Sequence, residues 1–231
     1  MNRDRFPFMA LPTVVADIER PTPAQVEQAA RLPSSTLHEA AGKIGALPSA
    51  IKPVHPSFKV CGPAVTVQSP PADNLWLHRA IVAARPGDVL VVHVGGHYEA
   101  GYWGEVMSQA AKARGLAGLV IDGCVRDGAI LEQVGFPVFA RGLCIRGTGK
   151  DFDARGWINA PTLFGDAIVQ PGDLIVGDTD GVVAIPRARA DEVLAMARQR
   201  EADEARIIER LIAGETSLDI YGWQDRPSPA R

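Results

Sequence analysis

Two short clusters in this 231-residue sequence carry side chains able to act on a small acid. In GLVIDGCVRDGAILEQVGFPVF, residues 118–139, the apolar run Leu119-Val120-Ile121 stops at Asp122-Gly123, and Arg126 stands beside Asp127 just before a helical pattern. Upstream, Gly104-Glu105 holds the same position before another helical pattern. Free N–H groups and the positive end of the dipole make each helix start a site for a carboxylate or phosphate. Glu105 and Asp127 would add oxygen ligands of the kind Mg2+ prefers, with water completing the shell. Arg126 would add a planar fork of donors suited to an oxyanion. Together these parts would bind a small acid and a divalent metal. A plainer account competes: acids are favoured in the first turn of any helix, and Asp122 could close an Asx turn.

Other side chains of catalytic type point elsewhere. His93 and His97 flank Gly95-Gly96; His93 falls in a strand pattern and reads as a core histidine, while His97 could line the substrate pocket. In a strand-to-loop segment the two share no face, so no zinc site is expected. Tyr98, Tyr102 and Trp103 read as packing, and Cys124 as a small buried residue. GTGKD, residues 147–151, resembles a P-loop only superficially, because Cys144 stands where its first glycine belongs and Asp151 replaces the Ser or Thr. No G-x-G-x-x-G occurs, which leaves a dinucleotide enzyme or a methyltransferase without support.

Elements that position the clusters follow from periodicity. Thr36-Leu37-His38-Glu39 has the form of a capping box opening a short helix. Lys59 to Val67 reads as a strand interrupted at Gly62-Pro63, and Asp73 as the cap of a helix running to about Ala84. Residues 88–94, DVLVVHV, read as a buried strand. Next comes a helix with Trp103, Val106, Met107, Ala110 and Ala111 on one stripe, ended by Gly115. Strand 117–122 then leads into the Arg126-Asp127 cluster. This alternation predicts neighbouring parallel strands joined by crossovers, with ligands outside their carboxyl ends. Further on, Pro171-Gly172-Asp173 and Asp180-Gly181 predict turns, the second a tight hairpin. A long helix is expected over about 188–213, giving one α/β domain, 1–223, with a C-terminal helical extension and a flexible tail at 224–231.

Composition narrows the partners. With 46% hydrophobic and 22% charged residues the chain is an ordinary globular one. A net charge of −3 gives no footprint for nucleic acid, and no apolar run is long enough for a bilayer. Pro7 and Pro12 break the apolar N-terminus, against a signal peptide. Three widely spaced cysteines fit a reducing, cytoplasmic setting.

GEVMSQAAKARGLAGLVIDGCVRDGAIL, followed by FPVFARG and later PGDLIVGDTDGVVAIP, resembles the class II pyruvate aldolases, which share their fold with the RraA regulators of RNase E. The characterised enzymes are 4-hydroxy-4-methyl-2-oxoglutarate/4-carboxy-4-hydroxy-2-oxoadipate aldolases. The resemblance covers residues 34–222. It implies an RraA-like swivelling β/β/α sandwich, assembled as homotrimers or hexamers with sites between subunits. By the resemblance, Asp127 binds Mg2+ (or Mn2+), Arg126 holds the pyruvyl oxygen, and Glu105 reaches the metal through water. Backbone amides over Gly104, Glu105, Val106 and Met107 would bind the substrate carboxylate. A glutamate from a neighbouring subunit's C-terminal helix, matched best by Glu204 with Glu201 as the other candidate, would join the water shell. Read as residues alone, Glu204 is equally a solvated partner of Arg200 at i,i+4.

The expected reaction is divalent-metal-dependent retro-aldol cleavage of a 4-hydroxy-2-oxo acid, releasing pyruvate through its enolate, with oxaloacetate decarboxylation as a side activity. None of Lys43, Lys52, Lys59, Lys112 and Lys150 sits where a Schiff base would be expected, which favours the metal route. The rival expectation is a non-catalytic RraA-like regulator that binds a ribonuclease. The long helix and both acids favour the enzyme.

Overall fold

The structure, a computed structural model, describes residues 13–223; the proline-broken N-terminus and the 224–231 tail lie outside the described residues. In chain order the helices are α1 (Pro23–Ala29), α2 (Ser34–Ala40), α3 (Leu75–Ala83), α4 (Glu105–Ala113), α5 (Gly128–Val134), α6 (Ala190–Ile212) and α7 (Ser217–Tyr221). The strands are β1 (Lys52–Pro53), β2 (Val60–Gln68), β3 (Val89–His93), β4 (Gly118–Asp122), β5 (Cys124–Val125), β6 (Val138–Ala140) and β7 (Gly142–Leu143). They continue with β8 (Trp157–Ile158), β9 (Thr162–Phe164), β10 (Ala167–Val169), β11 (Leu174–Asp178) and β12 (Gly181–Ile185).

The main sheet runs β1-β6-β4-β3-β2-β11-β12, with β8 added on β2. Its centre, β2-β3-β4-β6, is parallel, as alternation with helices requires. β11 and β12 form the antiparallel hairpin expected at Asp180-Gly181. Beyond the two ends, Gly45–Leu47 pairs with β12: Leu47 N donates to Val182 O at 2.9 Å and Ala184 N to Gly45 O at 2.8 Å. Lys52 Nζ on β1 also reaches Asp180 O in the β11–β12 turn. The sheet therefore comes close to closing on itself.

β2 makes this possible by serving two partners. Val60–Pro63 pairs with β11, and Ala64–Gln68 pairs with β3. Gly62-Pro63 does not interrupt the strand as expected. Gly62 is needed for close approach, since a Cβ there would lie 2.3 Å from Gly87 O.

Two apolar clusters hold the layers. The larger is lined by β2, β3 and β4 and covered by α3, α4 and α5 through Leu77, Met107 and Leu131. The smaller packs Leu37 of α2 and Val193, Leu194 and Ala197 of α6 on β11 and β12. Only the first half of α6 is buried. A 3-10 turn, Arg187–Arg189, precedes it, so the helix proper starts slightly later than expected.

Two local expectations are corrected. Thr36 does not cap a helix: α2 begins at Ser34 after Pro33, and Thr36 is buried within it. The capping boxes form instead at Thr22 with Gln25, and at Thr216 with Asp219. The α4 stripe is also shifted. Its inward face is Met107, Ser108 and Ala111, while Val106 is 78% exposed, Ala110 is exposed, and Trp103 precedes the helix. Trp103 is buried because its ring stacks on Phe136 and its Nε1 donates to Ser108 Oγ at 2.7 Å.

Candidate functional site

The loops leaving β3, β4 and β6 run side by side above the strand ends. Tyr102 N donates to Cys124 O at 3.0 Å, Arg126 N to Trp103 O at 2.8 Å, and Cys144 N to Val125 O at 2.8 Å. β5 and β7 are the paired parts of this second layer. Gly101 has no room for a side chain, since a Cβ would lie 2.3 Å from Cys144 O. Backbone pairing thus fixes Arg126 relative to the start of α4, without relying on flexible side chains.

Asp127 is the strained point of this layer. Its φ of 64° is left-handed, a conformation that costs a non-glycine residue about 1 kcal/mol or more. It precedes α5 but its carboxylate does not cap that helix. Instead Oδ2 accepts from Glu105 N, at the start of α4, at 3.0 Å. Arg126 Nε lies 3.8 Å from the same oxygen. Gly104 makes the approach possible, because a Cβ there would stand 2.3 Å from Asp127 Oδ2. The plain account of Asp127 as the cap of its own helix is not what the structure shows. One of the amides expected for a substrate carboxylate, Glu105 N, is taken by Asp127. Val106 N and Met107 N remain in the first turn of α4, where helix amides have no intrahelical partner.

Gly104, Glu105, Val106, Met107, Arg126 and Asp127 all line one cavity of about 300 Å³. The cavity also brings in residues that sequence reading missed, Asn74, His78, Gly147, Thr148 and Lys150, of which Asn74 donates through Nδ2 to Tyr102 O at 2.9 Å. Asp73 holds their two segments together. Its Oδ1 accepts from Leu75 N at 2.8 Å and its Oδ2 from Asp151 N at 2.5 Å, while Gly149 N donates to Ala72 O at 2.7 Å. Asp73 is not the expected cap: Asn74 holds that position and makes no side-chain capping bond, while Asp73, one residue earlier, clips the start of α3 to the 147–151 loop. The glycine-rich GTGKD run was the available signal, and its failure as a P-loop concealed its proximity to the site. Burial, then the nearby Lys150, holds the His78 imidazole below its ordinary pKa.

His97 does not line this cavity; its carbonyl accepts from Tyr102 Oη at 2.7 Å. Asp122 makes an ion pair with Arg141 rather than an Asx turn, and Arg141 lies 4.1 Å over the Tyr98 ring. Cys124 is half-buried rather than buried as expected, and burial, foremost, still pushes its thiol up from the usual value. Glu204 pairs with Arg200 at 2.8 Å and, within the chain, lines a separate hollow on α6 with Met196 and Tyr221. Glu201 is exposed on the same helix. Among the described residues no group of three His, Cys, Asp or Glu gathers around a metal position. Among them, too, no helix is long and apolar enough to cross a membrane.

A Halalkalibacterium halodurans protein named "Putative 4-hydroxy-4-methyl-2-oxoglutarate aldolase" is 39% identical over 179 residues, covering 78% of this chain and 84% of that one. A crystal structure of an uncharacterized Pseudomonas syringae protein matches with TM-score 0.73 and 30% identity, over 86% of this chain and 97% of that chain. The structure of Streptomyces coelicolor RraAS2, described as an unusual member of the RNase ES inhibitor RraA protein family, matches with TM-score 0.71 and 29% identity. That match covers 82% of this chain and 98% of the other. The family described as RraA-like, Aldolase/RraA, matches residues 17–184, up to the end of β12 and short of α6; the chain belongs to this family and has its fold.

Proposed function

We propose that this protein cleaves a 4-hydroxy-2-oxo acid to pyruvate and a second carbonyl compound, and decarboxylates oxaloacetate at the same site. The carrying observation is Asp127, held in a left-handed conformation with its carboxylate turned across the cavity beside Arg126 and Glu105. Strain of this kind persists where the surroundings enforce it, and it clusters at functional sites. The aldolase name of the H. halodurans relative supports the same reading.

Asp127 and Glu105 are the residues that would hold Mg2+ or Mn2+. Hard carboxylate oxygens in a water-accessible hollow fit such an ion, and most of its shell would be water. The ion would supply positive charge at the pyruvyl end of the substrate. The amides of Val106 and Met107 receive the substrate carboxylate. Arg126, with half of its side-chain surface exposed, lies where its guanidinium can face the 2-keto oxygen. In cleavage the C4 hydroxyl loses its proton and becomes a carbonyl. The C3–C4 electron pair passes to C3 and the 2-oxygen as the pyruvate enolate, and a proton returned to C3 completes pyruvate. Arg126 stabilises the charge growing on that oxygen. A water held by Glu105 is the candidate to take the hydroxyl proton. Oxaloacetate gives the same enolate by losing CO2.

The exposed outer half of α6, with Ile208, Leu211 and Ile212, and the following Leu218 and Trp223, supports assembly as trimers or hexamers that could bring Glu204 to a neighbour's site. At the other end of the helix, Val193-Leu194 is buried in its own chain and adds nothing to that surface. Light scattering should give at least a trimer; a monomer at micromolar concentration would remove Glu204 from the site.

The deciding experiment is coupled pyruvate release from a panel of 4-hydroxy-2-oxo acids, with Mg2+, with EDTA, and after metal is restored. Activity should vanish with EDTA and return with Mg2+ or Mn2+. A second reading is a Schiff-base enzyme, favoured by Lys150 in the cavity; borohydride with pyruvate should leave the protein unmodified, and a trapped lysine adduct would establish that reading instead. A third, ribonuclease binding without catalysis, is favoured by the likeness to the S. coelicolor protein. Absent pyruvate release together with specific binding to a ribonuclease would establish it.

A further inference from the structure

A second cavity opens at the other end of the sheet, where the β2–β11 ladder meets the connection between α1 and α2. Its volume is about 370 Å³, and it shares no residue with the candidate site. It lies at Val60, the amino end of β2, whereas the candidate site takes Asn74 from beyond the carboxyl end of that strand at Gln68. Nine strand residues, at about 3.3 Å per step, put the two ends of β2 roughly 25 Å apart.

The floor of this cavity is apolar. Cys61 is paired with Val176 on the ladder, and Leu32 from the α1–α2 connection belongs to the same apolar cluster. Burial pushes the Cys61 thiol up to about 12, and its Sγ donates to Val26 O at 3.4 Å, so it lines the cavity as a neutral group.

The charges at the mouth are unevenly committed. Lys59, just before β2, is exposed and has no carboxylate partner among the described residues. Arg31 pairs with Glu27 at 2.6 Å, but both side chains are largely exposed, and such a pair adds little. Asp178 is the carboxylate of the lining, and its oxygens are already occupied. Oδ2 accepts from Ser34 N at 2.8 Å, and Oδ1 accepts from Ser34 Oγ at 2.6 Å and Asp180 N at 3.0 Å. What remains to meet a ligand is two cations above apolar walls. Low-dielectric walls focus the field of such charges and draw an anion.

We propose that this cavity is a second ligand site, one that takes a carboxylate carried on an apolar body. Arg31 and Lys59 hold the carboxylate, and Leu32, Cys61 and Val176 receive the body. Arg31 brings a planar fork that fits both carboxylate oxygens and leaves Glu27 to water. The volume is at the small end for ligand sites, which suits an acid the size of benzoate and leaves no room for a nucleotide. The site uses neither Arg126 nor Asp127 and does not depend on the aldolase reading.

The test is calorimetric titration of the full chain with benzoate. Benzyl alcohol, which keeps the ring without the charge, and acetate, which keeps the charge without the ring, are the controls. Benzoate should bind saturably and about 10-fold or more tighter than either, the scale of one charged hydrogen bond. Lys59→Gln and Arg31→Gln should each weaken it several-fold, and Lys59→Glu should abolish it. These exposed side chains can be changed without touching the core. Arg126→Gln should leave benzoate affinity unchanged, because only an acid bound in the candidate site would need that guanidinium. No saturable binding, equal affinity for benzyl alcohol, or unchanged affinity in both Lys59→Gln and Arg31→Gln would overturn the proposal. Loss of benzoate binding in Arg126→Gln would overturn it too, by placing the acid in the candidate site.

Discussion

The two walls of the cavity are built differently. Gly104, Glu105, Arg126 and Asp127 stand at loop-to-helix junctions that are laced backbone to backbone. Their geometry is a property of the main chain, and a change there must either fit or distort the layer. Asn74, His78 and Lys150 are gathered from α3 and from the distant 147–151 loop, joined through the Asp73 carboxylate and bonds around Gly149. Apart from Asn74, whose Nδ2 donates to Tyr102 O of the laced loops, such a wall can change side chains without disturbing the first. Chemistry common to many substrates belongs on the laced wall, and selection among them on the clipped one.

The strongest way to break this division is Asp127→Ala, which should abolish both Mg2+ binding by calorimetry and turnover. Arg126→Lys should keep metal affinity while kcat falls by about 10²-fold, the usual scale for one preorganised oxyanion donor. Both cleavage and oxaloacetate decarboxylation should fall in parallel, because they share an enolate. A wild-type rate in Arg126→Lys would reduce Arg126-Asp127 to a structural junction.

Gly104→Ala sharpens the role of the laced wall. Its Cβ would drive into Asp127 Oδ2, and a displacement near 1 Å is enough to cost up to about 10²-fold. Here kcat should fall with little change in thermal stability. Asp73→Ala tests the other wall. KM for a dicarboxylic substrate should rise more than kcat falls, and the loss of buried acceptors should lower stability by about 1–3 kcal/mol. Equal loss of kcat for that substrate and for an analogue without the second carboxylate would merge the two walls into one.

The smallest expected effect is spectroscopic. In Lys150→Met the His78 pKa should move up towards its ordinary value of about 6.5, yet stay below it because burial, the larger cause, remains. The same depressed value means the unfolded chain binds the His78 proton more readily. That contribution to stability is present above about pH 6.5 and is lost as pH falls below it. NMR titration of the His78 ring checks both statements.

The two walls also differed in legibility. Val89–His93 and Gly118–Asp122 announced themselves as buried strands, and the charged residues following the second marked a strand end in sequence itself. Side chains one or two positions apart need only local geometry to share a site. The far wall needed a contact across 78 positions, from Asp73 to Asp151, and long-range pairing leaves no periodicity to read. The α4 stripe failed for a related reason. Trp103 looked helical by spacing, but its ring is held by Phe136 and Ser108 while its backbone pairs with Arg126. Helix α1 went unread although Thr22, Pro23 and Gln25 carry a start signal, because its seven residues are too few to show an apolar period.

The near-closure of the sheet has a bearing on how the chain is made. Gly45–Leu47 finds its partner in β12, and Val60–Pro63 in β11, more than a hundred positions later. During synthesis both segments leave the ribosome with bare hydrogen-bonding edges and must wait for residues 174–185. High contact order slows folding, and waiting edges invite association with other chains. A nascent chain halted near residue 170 should therefore be protease-sensitive and aggregation-prone, and passing Ile185 should protect it abruptly rather than by degrees.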